Sequence, residues 1–187
     1  MLTAVLKNKS TAVKITVKGA ISVLMIVLAV ALPQIAHIAG GAAAGAVYLP
    51  MYAPALIAGC ILGWQWGLGV GALSPLASFA FTSLLLDSAM LAAARLPYMV
   101  VELAVFGLVS GLFCKKIAKN ALFAFPAVIA AQVAGRLIYF VSAVIFGQSA
   151  AAVWGVIESG LTGLYIQASI VPVIVLLLSL AVKNDRD

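Results

Sequence analysis

Residues 48–78, YLPMYAPALIAGCILGWQWGLGVGALSPLAS, read as two apolar helices joined by a very short turn. The first is predicted over about Val47 to Leu62 and the second over about Trp66 to Leu85. Each approaches the roughly 20 apolar residues that cross hydrocarbon. Only Gly63-Trp64-Gln65 lies between them. Trp64 and Trp66 suit headgroup depth, where an indole keeps its body in lipid and its N–H in water, so the turn marks a membrane face. Small residues recur at every fourth place, Ala55, Gly59 and Gly63 and then Gly67 and Gly71, which lets backbones approach closely. Ser74, Ser78 and Thr82 share one face of the second helix. Their hydroxyls either line a polar cavity or bond back to carbonyls and across to a neighbouring helix.

Composition puts the whole chain in the same environment. Of its 187 residues 65% are hydrophobic and 9% charged, and the mean hydropathy is +1.23. An ordinary soluble domain carries about 25% charged residues. The expectation is an all-α integral membrane protein, one compact bundle of six helices in a single domain. The net charge of +6 is no nucleic-acid signal. All eight lysines and one of the three arginines lie in the N-terminal segment, the Cys114–Asn120 loop or the C-terminal tail, and that clustering reads as membrane topology.

The N-terminal segment is basic, with Lys7, Lys9 and Lys14, and the first apolar run covers about residues 15–36. A basic start before an apolar run also describes a signal peptide, but no small-x-small cleavage site closes the run, which favours a retained helix. Lys18 would snorkel to the interface and Pro33 would sit in the last turn. Gln34 to Val47 is rich in glycine and alanine and uncharged, and is predicted to fold back over the helix tops as a lid. It holds His37, the single histidine, which is either a hydrogen-bonded interface group or a ligand contact.

After the hairpin, the segment from Asp87 to Leu96 precedes a fourth run over about 97–114, where Glu102 sits inside the helix and Tyr98 one turn before it. Lys115, Lys116 and Lys119 close that run and place its end in the cytoplasm. The fifth run, about 121–147, carries Gln132, Arg136 and Tyr139 on one face. An arginine at mid-membrane costs about 2.5–3.5 kcal/mol on insertion scales, so Arg136 must face the interior with a partner. That partner is a substrate carboxylate, or Glu102, or each in turn, unless the helix register is shifted. A loop over Gln148–Ser159 with Trp154 and Glu158 leads to the last run, about 160–182, where Ser159, Gly163 and Gln167 are spaced by four and Pro172 adds a kink. Six crossings put both termini in the cytoplasm.

No phosphate-binding loop, nucleophile elbow or zinc-helix motif is present, and neither His37 nor Cys60 and Cys114 has metal-ligand spacing. The expectation is a non-enzyme without metal or cofactor, so that uphill transport would draw on an ion gradient or on another subunit.

The segments Leu49-Pro50-Met51-Tyr52-Ala53-Pro54, Gly71-Ala72-Leu73-Ser74-Pro75-Leu76-Ala77-Ser78 and Val101-Glu102-Leu103-Ala104-Val105-Phe106-Gly107, set in six short helices, resemble a substrate-binding S component of an energy-coupling factor (ECF) vitamin transporter. The resemblance implies a multi-pass protein of a bacterial cell membrane that captures a vitamin or precursor from outside and works with a transmembrane coupling protein and two ATPases. It also implies a site near the outer side. By position, Arg136, Gln132, Tyr139 and Glu102 would point toward the ligand, under lids at 34–47, 87–96 and 148–159, and Tyr98, His37, Ser78 and Gln167 are further candidate substrate-binding residues. Ala12, Thr16 and Ala20 stand nearest the family's Ala-x-x-x-Ala docking pair. Tyr52 stands where close relatives carry histidine, and the loop after the third helix lacks their Gly-Met-Pro. A small acid such as pantothenate or a niacin-like compound is the expected ligand. A structural or regulatory membrane protein and a self-sufficient carrier are the alternatives.

Overall fold

The computed structural model describes residues 10–85 and 93–184. Ser10 begins the first helix, its hydroxyl accepting from the Val13 N–H at 3.4 Å and so satisfying one of the first-turn donors. Helix α1 then runs over Thr11–Tyr48 with Pro33 inside it and one break at Gly41, where φ is 72° and ψ −175°. The predicted lid at 34–47 is therefore helical: residues 34–41 continue the first helix, so Pro33 is not in its last turn, and beyond the break at Gly41 a second short helical stretch runs on to Tyr48. The physical reason is local: the segment is alanine-rich and uncharged, so it follows helix propensity, and a single glycine takes up the bend.

Leu49 ends α1 in the left-handed region (φ 49°), which is costly for a side chain with a Cβ. It is held there from across the bundle: the Gln167 side-chain amide donates to the Tyr48 carbonyl at 3.1 Å and the Leu49 carbonyl at 2.7 Å. The turn takes residues that the sequence assigned to the second helix. Helix α2 is accordingly Tyr52–Leu62, 11 residues long. At 1.5 Å per residue that is about 16 Å, roughly half the hydrocarbon thickness. Gly63 (φ 99°) alone forms the following turn, and α3 starts at once at Trp64 and runs to Leu85. Lys18 is partly buried, and its ammonium donates to the Leu62 carbonyl at 3.3 Å, capping the end of α2 beside the Gly63 turn.

A 3₁₀ turn at Ala93–Arg95 opens α4 over Leu96–Leu112; the rest of the predicted Asp87–Leu96 lid, Asp87 included, lies outside the described residues apart from Leu96. A short α5 (Cys114–Lys119) and a 3₁₀ turn (Ala121–Phe123) lead into α6, Ala124–Ile145. The predicted Gln148–Ser159 loop is mostly helix: α7 spans Ala150–Ser159, capped by Ser149, whose hydroxyl accepts from the Ala152 N–H. Val153 and Ile157, one turn apart, seat it on the bundle. Helix α8, Leu161–Asn184, closes the described chain with Pro172 inside it.

Glycines set the spacing of the centre. A Cβ on Gly107 would run into the Gly67 carbonyl, one on Gly67 into the Gly107 carbonyl and Gly59, and one on Gly71 into the Leu103 carbonyl. Helices α2, α3 and α4 thus meet backbone to backbone. Phe106, fully buried, stands edge-on to Tyr52 with ring centroids 5.0 Å apart and fills the space left by Gly135 on α6. Outward faces are as apolar as the interior: Val23, Leu24 and Val27 on α1 and Ile129, Val133 and Leu137 on α6 are all exposed. Among the described residues, five helical segments are long and apolar enough to cross a membrane: Thr11–Gly41, Trp64–Leu84, Ala93–Leu112, Ala121–Ile145 and Leu161–Ala181. The fold is an all-α multi-pass membrane bundle, with α2 as an additional short apolar helix where the sequence predicts a full-length one.

Candidate functional site

Three helices bring one charged cluster together. Glu102 lies one turn before Phe106 on α4 and is fully buried. Arg136 lies one residue after Gly135 on α6, where a Cβ would run into the Phe106 ring, and is 8% exposed. Its Nη1 stands 3.1 Å from Glu102 Oε1. The Tyr52 hydroxyl, from the first turn of α2, donates to Glu102 Oε2 at 2.8 Å. The guanidinium carbon also lies 5.3 Å from the Tyr52 ring centroid and 5.7 Å from that of Tyr139. Tyr139 in turn meets Tyr98 edge-on at 5.4 Å. A buried ion pair is thus enclosed by aromatic faces, which suit a weakly hydrated guanidinium.

The pair uses one side of the guanidinium. Arg136 Nε and Nη2 are buried and make no hydrogen bond. In a planar guanidinium these two nitrogens point donors along one edge, the fork that matches both oxygens of a carboxylate. Gly160, the residue between α7 and α8, lies beside it: a Cβ there would come within 3.0 Å of Nη2 and 2.9 Å of Leu49.

Of the residues expected to bind substrate, Arg136, Glu102, Tyr139 and Tyr98 are brought together. Gln132, one turn before Arg136, donates its amide to the Leu164 carbonyl at 3.0 Å and ties α6 to α8. Gln167 is the clamp on the end of α1 described above, with its Oε1 buried and unbonded. Ser78 is buried on the stripe of α3 that carries Gly71 and Ser74; the Ser74 and Thr82 hydroxyls there bond back to the Val70 and Ser78 carbonyls. His37 is half-buried on α1 with its imidazole against Gly45, and no contact with Arg136 occurs among the described residues. Ala12, Thr16 and Ala20 are all exposed on α1. Among the described residues no group of His, Cys, Asp or Glu could hold a metal ion.

Tyr52 is the member that sequence reasoning did not place in the site. Its position in Leu-Pro-Met-Tyr-Ala-Pro carried the signal, since a tyrosine at the start of an apolar helix needs a partner for its hydroxyl when buried.

A groove of about 680 Å³ opens on the outer face between α6, α7 and α8. Its walls are apolar, with Val133, Leu137, Phe140, Leu161 and Leu164 among them, and Arg136 is its one charged lining residue.

Comparison with family models, curated proteins and solved structures yields no match.

Proposed function

We propose that this protein is the substrate-capture subunit of an ECF-type micronutrient importer, taking a small acid such as pantothenate or a niacin-like compound from the outer side and delivering it with a coupling protein and two ATPases. One observation carries the reading: a guanidinium more than nine-tenths buried in a membrane bundle has a donor edge, Nε and Nη2, left without an acceptor. A buried donor without a partner costs about 1–3 kcal/mol, more when charged, and an arriving carboxylate would recover that cost. In this reading α2 counts as a sixth, short crossing, both termini are cytoplasmic, and Lys14, Lys18, Lys115, Lys116 and Lys119 sit at the inner face of a bacterial cell membrane. Ala12, Thr16 and Ala20 face the coupling protein. The chain has no ATPase motif, so the energy comes from the partner subunits.

A second reading is favoured by the 3.1 Å contact itself: Arg136 and Glu102 lock α4 to α6 in a structural or regulatory membrane protein.

Reconstitution separates capture from self-sufficient transport. Liposomes holding this chain, an ECF coupling protein and both ATPases are expected to accumulate labelled pantothenate or nicotinate only when ATP is supplied. Accumulation by this chain alone under an ion gradient would make it a secondary carrier. No uptake of either acid in the complete assembly would remove the importer reading.

A further inference from the structure

A second cavity, of about 350 Å³, lies where the turn between α2 and α3 packs on the end of α4, with Trp64, Gln65, Trp66, Leu112 and Lys115 in its lining. Gly111 builds it: a Cβ there would run into the Trp64 backbone, so the start of α3 sits directly against α4. Lys115 is the one charged lining residue; it is exposed and makes no ion pair among the described residues. A second ammonium borders the pocket, that of Lys18, 3.3 Å from the carbonyl of the lining residue Leu62. No carboxylate lines it. Ahead of α3 stands Gly63, which has no side chain to cap the helix, and the Gly67 N–H closes the first turn on the Gly63 carbonyl at 2.9 Å. The N–H groups before Gly67 have no acceptor in their own helix, so the positive end of the helix dipole adds to the lysines. Trp64, 47% exposed, and Leu112, 59% exposed, open the pocket sideways where α2 and α4 both end, at the headgroup depth that indoles favour.

We propose that this pocket binds the headgroup of an anionic phospholipid, with the phosphate at Lys115 and an acyl chain leaving along Trp64 and Leu112. Basic pockets between transmembrane helices at a membrane face suit such headgroups. Every charge at the pocket is positive, so the amine of a zwitterionic headgroup meets two ammoniums and no carboxylate. The volume holds a headgroup and leaves the chains outside, in the bilayer. Soluble phosphate esters share the recognised group, but the exposed apolar walls beside Lys115 match a ligand that carries a tail. Neighbouring Lys116 is engaged elsewhere, over the Phe113 and Phe123 rings at 5.5 and 6.0 Å. The site stands whether or not the protein is an importer.

Native mass spectrometry of the intact protein in a neutral detergent tests this by titration with phosphatidylglycerol and phosphatidylcholine of the same acyl chains. Phosphatidylglycerol is expected to bind at least about tenfold tighter. Lys115→Gln is expected to weaken it at least about fivefold, while Lys115→Arg retains it and Lys119→Gln leaves it within about twofold. Lys119 is exposed on the same short helix but lies outside the pocket, so its loss removes the same charge without touching the site. Circular dichroism of all three variants is expected to match the parent's. Equal binding of the two lipids, or equal losses from Lys115→Gln and Lys119→Gln, would reduce the effect to general attraction and overturn the proposal. Glycerol phosphate and inorganic phosphate separate the sources. Binding of either as tightly as phosphatidylglycerol would make the occupant a soluble phosphate and overturn the lipid assignment.

Discussion

Arg136→Ala is expected to destabilise the bundle by about 3–5 kcal/mol, because it leaves a buried carboxylate without its counter-charge. Glu102 is fully buried, and after the substitution its remaining support is the Tyr52 hydroxyl at 2.8 Å. Glu102→Ala carries a similar cost from the other side, since it strands the guanidinium between the Tyr52 and Tyr139 rings. The double substitution removes both charges at once and is expected to cost far less than the sum of the two. Thermal or denaturant unfolding of the four proteins in one detergent closes the cycle and gives the coupling directly. Additive losses would mean that the 3.1 Å contact contributes no stability.

Gly107→Ala is the second large effect, about 3 kcal/mol or more, for a reason that has nothing to do with charge. The added methyl would overlap the Gly67 carbonyl, a main-chain atom with no rotamer to change, so α3 and α4 must move apart. The loss spreads beyond the contact. Gly59, Gly71 and Ser110 lie along the same seam, and Glu102 is carried by the helix that is displaced. The expected result is a fall in thermal midpoint together with weaker binding of any ligand that depends on Arg136. An unchanged midpoint would show that the seam is looser than the backbone contacts indicate.

Much of this architecture can be read from residue patterns. Four-residue spacing of Gly59, Gly63, Gly67 and Gly71 gives the tight hairpin, and the structure supplies its partner, since Gly107 and Gly111 on α4 face the same seam. The cost of burying an arginine is enough to send Arg136 inward, and the nearest membrane carboxylate is where it goes. What the pattern hides is where hydrophobic runs stop being single elements. Residues 34–47 and 150–159 are rich in small residues, as loops often are, yet nothing in them opposes a helix except Gly40, Gly41, Gly45 and Gly155, and both segments fold as helices. The shortness of α2 comes from a long-range clamp. Gln167, more than 100 residues away, donates to the Tyr48 and Leu49 carbonyls and holds the chain in a turn where apolar periodicity alone would extend the helix. Tyr52 is missed for a similar reason: its hydroxyl meets a carboxylate 50 residues further on.

The interior pair also separates charge from shape. Lysine at position 136 keeps the positive charge beside Glu102 but has no planar fork, so it can preserve the ion pair while losing the edge formed by Nε and Nη2. The most direct measurement is therefore the affinity of purified Arg136→Lys for nicotinate and pantothenate by calorimetry, set beside its unfolding free energy. The account predicts that the parent protein binds at least one of the two acids, and that the lysine variant stays within about 1–2 kcal/mol of its stability while binding at least about tenfold more weakly. A lysine variant that binds as tightly as the parent, or a parent that binds neither acid, would contradict it.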